Sequence, residues 1–161
     1  MDIFEFAMEK EKRSENLYRE LAGQTENKGL VAIFTMLADE EAHHYTVIEQ
    51  MRSAIPESVS KTDVLADAGA VFDQMRKGAV EFDFDASQAD IYRKAQEIEQ
   101  ASRQFYSDKA EEVDDACHKG IFRKLSDEEN KHYLLLENII ALVSRPEYWL
   151  ENAEFFNPQE Y

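Results

Sequence analysis

Residues 39–45 read DEEAHHY, and residues 127–133 read DEENKHY. In each phrase a glutamate stands three residues before a histidine, Glu41 before His44 and Glu129 before His132. On a helix that spacing places both side chains on one face, within reach of a single object. A carboxylate and an imidazole aimed at one point suit a divalent cation such as iron or manganese. The competing reading is a pair of solvated acidic faces, and the neighbouring residues argue against it. Phe34, Leu37, Glu41, His44 and Ile48 follow the alternating three- and four-residue spacing of a bundle core. Phe122, Leu125, Glu129, His132 and Leu136 repeat it.

Two further stripes each carry one glutamate in an otherwise core-like row. They are Phe4, Ala7, Glu11, Ser14, Tyr18 and Leu21, and Tyr92, Ala95, Glu99, Ser102, Tyr106 and Ala110. Glu9, Glu15 and Glu97 are alternative carboxylates nearby. The shared register with Tyr18 and Tyr106, each seven residues after its glutamate, favours Glu11 and Glu99. Four buried carboxylates repel one another, and each costs several kcal/mol to desolvate as an isolated ion. Two divalent cations balance that charge, and two imidazoles complete the donor set.

The elements that must position these residues repeat as a unit. Asp2, Ile3, Ala7, Glu9, Glu11, Ser14 and Tyr18 align without gaps on Asp90, Ile91, Ala95, Glu97, Glu99, Ser102 and Tyr106. Ile33, Phe34, Leu37 and residues 39–41 continue the register onto Ile121, Phe122, Leu125 and residues 127–129. Every pair is 88 residues apart, as 99 − 11 and 132 − 44 both give. The chain therefore reads as two helical hairpins. Helices are expected over Asp2–Gly23 and Lys28–Ser53, then over Ser87–Val113 and Asp115–Val143, with Asp2, Ser87 and Asp90 as candidate start residues. Between the copies, Thr62–Lys77 reads as a short amphipathic helix with Val64, Leu65, Ala68, Val71, Phe72 and Met75 on one face. The expected organisation is one domain over 1–161, with a hairpin repeat at 1–54 and 89–143, a crossover at 55–86 and a tail at 144–161. A connection long enough to return along the bundle is the single crossover of an all-α, ferritin-like four-helix bundle. The tail, with Trp149, Phe155, Phe156 and Tyr161, is expected to pack over one bundle end or against a second subunit.

On these residues the chain resembles the rubrerythrin family of the ferritin-like di-iron proteins. The resemblance implies a metal ligand set of Glu11, Glu41, His44, Glu99, Glu129 and His132, holding two iron ions, with manganese or mixed occupancy as alternatives. Glu41 and Glu129 would bridge, and Glu11 and Glu99 would be terminal. It also implies that Tyr18 and Tyr106 support the ligand carboxylates, and that the site reduces hydrogen peroxide or oxidises Fe(II) with dioxygen. Non-catalytic iron sequestration is the alternative. Three departures qualify the likeness. A rubredoxin-like four-cysteine centre is incompatible with a chain whose one cysteine is Cys117, so no iron–sulfur centre is expected and electrons need a separate donor protein. Ser102 and Arg103 stand where such proteins place an additional glutamate ligand. Ala42 stands where bacterioferritins carry a haem-binding methionine, so no haem is expected.

The formal charge of −16 on 161 residues disfavours nucleic acid or an anionic membrane as a partner and favours cations. The opening MDIFEFAMEK has no basic region followed by an apolar core, and no apolar run approaches the ~18 residues of a membrane span. A cytoplasmic protein, pairing as a homodimer, is the expectation. Among the remaining residues, His43 reads as a surface position and Trp149 as a packing anchor; Glu40 and Glu128, which also repeat, read as a solvated face, with a role as acceptors behind the ligands as the alternative. Cys117 and His118 carry no assigned role.

Overall fold

In the computed structural model, residues 2–53, 64–77 and 87–151 are described. Their regular structure is helical throughout: α1 (Ile3–Gln24), α2 (Lys28–Arg52), α3 (Val64–Lys77), α4 (Gln88–Glu112), α5 (Ala116–Ser144) and α6 (Pro146–Glu151). Three of the starts are fixed by side chains that accept an otherwise orphaned backbone N–H. Asp2 Oδ1 accepts from Glu5 at 2.8 Å, Asn27 Oδ1 from Leu30 at 3.0 Å, and Asp115 Oδ1 from His118 at 2.9 Å. Asn27 and Asp115 are 88 residues apart (115 − 27), so the repeat extends to the caps. The start of α4 departs from it. Ser87 precedes the helix in an αR conformation without a capping bond, and Asp90 lies inside the first turn rather than at its start.

Residues 25–27 and 113–115 are links too short for anything but antiparallel neighbours, so α1 with α2 and α4 with α5 form two hairpins. Backbones approach closely within each hairpin and only sparsely between them, where α1 faces α4 and α2 faces α5. The gap between hairpins is therefore bridged by long side chains. Two apolar clusters fill most of it. One gathers Tyr18, Leu21, Phe34, Leu37, Tyr92 and Leu136 with residues of α3. The other gathers Ala7, Met8, Ile48, Tyr106, Phe122 and Leu125. Each fully buried large apolar side chain contributes roughly 1.5–3 kcal/mol, enough in sum to tolerate a polar layer between the clusters. Glu41 and His44 fall in that layer, between Leu37 of one cluster and Ile48 of the other.

The crossover helix α3 packs on α2 and α5 through Val64, Leu65, Ala68 and Phe72, with Val71 and Met75 half-buried on the same side. Gly29 permits this approach, because a Cβ there would lie 2.5 Å from Met75 Sδ. The chain then turns at Arg145 into α6, with Pro146 at its first position. Trp149 is fully buried: its Nε1–H donates to Asn138 at 2.7 Å, the Arg76 guanidinium sits 4.0 Å over its ring, and Phe72 meets it edge-on at 5.5 Å. It thus clasps α3 to α5. In α1 the expected Phe4 is only half-buried and Met8 takes its place in the core. The rest of the expected crossover, including Thr62, and the tail residues Phe155, Phe156 and Tyr161 lie outside the described residues.

Candidate metal centre

Six side chains named from the sequence meet in the polar layer. Glu11 comes from α1, Glu41 and His44 from α2, Glu99 from α4, and Glu129 and His132 from α5. None is more than 2% exposed. Their donor atoms form two groups, each drawn together within 4.8 Å: Glu11, Glu41, His44 and Glu129 in one, and Glu41, Glu99, Glu129 and His132 in the other. Glu41 and Glu129 belong to both. Glu11 with His44 completes one end, and Glu99 with His132 the other.

Both imidazoles turn Nδ1 inward. His44 Nδ1 is 2.9 Å from Glu129 Oε1 and 3.7 Å from Glu11 Oε2. His132 Nδ1 is 2.7 Å from Glu41 Oε1 and 3.5 Å from Glu99 Oε1. The two rings are nearly parallel, 9° apart in plane, with centroids separated by 5.8 Å. The tyrosines cross over. Tyr18 of α1 donates its hydroxyl to Glu99 Oε1 on α4, and Tyr106 of α4 donates to Glu11 Oε1 on α1. Tyr18 stacks on Phe34 and Tyr106 on Phe122, at 6.4 and 6.0 Å, so the supporting aromatics follow the repeat as well.

Burial and mutual repulsion divide the four carboxyls into two kinds. Glu41 and Glu129 are pushed well above the usual carboxylate range by burial, and further by the neighbouring carboxylates. Burial pushes Glu11 up too, but the neighbouring Glu41, His44 and Tyr106 outweigh it and hold the group down at about 2. Glu99 is likewise held below its ordinary value against burial, by Glu129, His132 and Tyr18. Burial pulls His132 down, yet the charges and hydrogen bonds of Glu99 and Glu40 raise it well above the ordinary imidazole value. Tyr18 and Tyr106 are raised well above theirs, first by burial and then by the carboxylates, so both hydroxyls keep their protons and remain donors.

The donor set fits a pair of divalent cations. Glu11 Oε2 and Glu99 Oε2 are buried without a hydrogen-bond partner among the described residues, while Oε1 of each is held by a tyrosine. A cation on each side would answer these oxygens together with the imidazoles.

Two expectations from the sequence need correction. Glu40 and Glu128 are not solvated: Glu40 Oε1 is 3.1 Å from His132 Nε2, and Glu128, 3% exposed, binds Lys131 Nζ at 3.0 Å. His43 is half-buried rather than on the surface, with Nε2 enclosed and unpartnered among the described residues. The contact of Glu40 with His132 follows the other reading of this repeated pair, as acceptors behind the ligands, which the 88-residue register (128 − 40) directly beside the glutamates of the site had left open.

Fold and site together define an all-α ferritin-like bundle with a buried carboxylate–histidine cluster compatible with a di-iron centre. The sequence profile of the rubrerythrin family matches residues 2–140. This chain belongs to the rubrerythrin family. No curated protein and no solved structure matches it. Among the described residues no helix is long and apolar enough to cross a membrane.

Proposed function

We propose that the chain is a non-haem di-iron oxidoreductase of the rubrerythrin kind, reducing hydrogen peroxide or oxidising Fe(II) with dioxygen. The observation that carries this reading is the overlap of the two donor groups at Glu41 and Glu129. Shared carboxylates are what a bridged pair of ions requires. In this reading Glu41, Glu129, Glu11 and His44 would hold one ion, and Glu41, Glu129, Glu99 and His132 the other. A bound iron pair supplies the two electrons needed to cleave an O–O bond. Manganese or mixed occupancy is compatible with the same donors.

The protein's own part is positioning and proton handling. Tyr18 and Tyr106 fix one oxygen of Glu99 and Glu11, leaving the other oxygen of each for a cation. Glu41 and Glu129 surrender protons when cations enter. The apolar clusters on either side keep water from the centre. Electrons for sustained turnover come, in this proposal, from a separate redox protein. A cytoplasmic homodimer remains part of the proposal.

The test is anaerobic loading with Fe(II) followed by removal of free metal. About two irons per chain in the wild type, and none in the double variant Glu41→Ala, Glu129→Ala, is the expected result. No retained iron in either would overturn it. Consumption of peroxide with an added reductant then separates an oxidoreductase from a protein that only sequesters iron. Iron retained without turnover would favour sequestration.

A further inference from the structure

The outer nitrogens of the two site histidines have different surroundings. His132 Nε2 lies 3.1 Å from Glu40 Oε1. His44 Nε2 is buried with no hydrogen-bond partner among the described residues. The repeat locates the origin of this difference. Glu40 and Glu128 are equivalent positions, as are His43 and Lys131 (131 − 43 = 88). Lys131, three residues after Glu128 on the same helix, binds that carboxylate at 3.0 Å. His43 Nε2 is buried without a hydrogen-bond partner among the described residues, and Glu40 reaches across to His132.

We propose that the two metal positions are therefore unequal: the position of Glu99 and His132 fills first and holds its ion more tightly, with Glu40 as its positioning residue. The proposal rests on the dinuclear reading above. A histidine that ligates through Nδ1 carries its hydrogen on Nε2. At His132 that hydrogen has a carboxylate acceptor, which fixes the tautomer, holds the ring and makes the ligating nitrogen more basic. At His44 the same hydrogen is buried without an acceptor among the described residues, so ligation there leaves a desolvated donor unsatisfied. Outer partners of this sort change metal affinity by roughly 10–100-fold, and that is the expected gap between the two positions. The ion beside Glu11 and His44 is then the exchangeable one.

Anaerobic titration of the metal-free protein with Co(II), followed by its visible absorption bands, reads each binding event without any turnover. Wild type should show two events with dissociation constants roughly 10–100-fold apart. His44→Ala should abolish the weaker event and retain the tighter; His132→Ala should do the reverse. Glu40→Gln should weaken the tighter event towards the other and leave the other within about twofold. Melting curves of the metal-free variants exclude loss of fold, and the two histidine variants decide the matter should Glu40→Gln fail to fold. Two equal events, or equal weakening of both by Glu40→Gln, would overturn the inequality while leaving a dinuclear site. Absence of binding in the wild type would remove the dinuclear reading and this proposal with it.

Discussion

The hairpins α1–α2 and α4–α5 are alike where they touch the cluster and unlike one step further out. Glu11 and Glu99, Tyr18 and Tyr106, Phe34 and Phe122, and the caps Asn27 and Asp115 all keep the same register. Beyond them, His43 opposes Lys131, Asp2 caps α1 whereas Asp90 only joins the first turn of α4, and one apolar cluster is joined by α3 while the other is not. The difference teaches where the constraint lies. Two like cations demand two like donor sets, but nothing in their chemistry demands that the side chains behind those donors match. The departures from the repeat lie behind the donor atoms rather than among them.

The largest expected break in this symmetry is removal of the shared carboxylates. Glu41→Met with Glu129→Met should abolish metal-dependent stabilisation, which for a ligand at a thousand times its dissociation constant amounts to about 4 kcal/mol per site. The same variant, free of metal, should melt no lower than metal-free wild type, because buried charged or protonated carboxyls are replaced by apolar side chains of similar volume. Calorimetry with and without Fe(II) checks both halves of the statement. A metal-free variant that melts well below wild type would show that the cluster stabilises the fold by itself.

The crossed tyrosines offer a sharper comparison. Tyr18→Phe deprives Glu99 of its donor, and Tyr106→Phe deprives Glu11, so each should cost about 1–3 kcal/mol in the metal-free protein. Equal costs in urea titrations would show that the repeat governs energetics as well as geometry. A twofold disparity would place the asymmetry inside the site itself.

Dependence on pH separates the two kinds of carboxyl. Glu41 and Glu129 are raised, so their contribution to metal-free stability is full below the usual glutamate range and is lost as pH rises through their folded values. Glu11 and Glu99 are lowered, so theirs is present above that range and is lost as pH falls, for Glu11 down towards about 2. Cations displace the protons of Glu41 and Glu129, so metal affinity should rise with pH, by about tenfold per unit for each proton released. Dissociation constants measured as pH rises from the usual glutamate range towards the raised values of this pair should fall with that slope. A flat profile would mean that no proton leaves on loading.

The smallest effect belongs to the caps. Asn27→Ala should cost ~1 kcal/mol, and Asp115→Ala should lower the melting temperature in parallel, since the two occupy equivalent starts.

Much of this was legible because a charged residue in an apolar stripe is conspicuous. Glu41, His44, Glu129 and His132 stood out against Phe34, Leu37, Phe122 and Leu125, and one gapless offset tied Glu11 and Glu99 to the same layer. Helix ends came within about two residues, since Asn27, Asp115 and the short links leave little choice. Other features depend on tertiary contacts that periodicity does not encode. Glu40 lies about 100° from Glu41 around α2, which marks it as outward until the facing α5 brings His132 to it. His43 is half-enclosed as well. Phe4 and Met8 are both candidates for the first turn of the buried face, and packing selects Met8.

The crossed tyrosine bonds also bear on how the molecule comes together. Tyr18 and Glu99 are 81 residues apart in sequence, and Tyr106 and Glu11 are 95 apart, so neither hairpin owns a complete cluster. Helices form in about a microsecond or less, whereas joining distant halves must first meet the cost of closing a long loop. In a refolding experiment with Co(II) present, the metal bands should lag behind the helical signal and appear with docking of the halves. Capture of the ion would then be a clock for the last long-range step, and a chain cut within the crossover would acquire metal only as fast as its two pieces find each other.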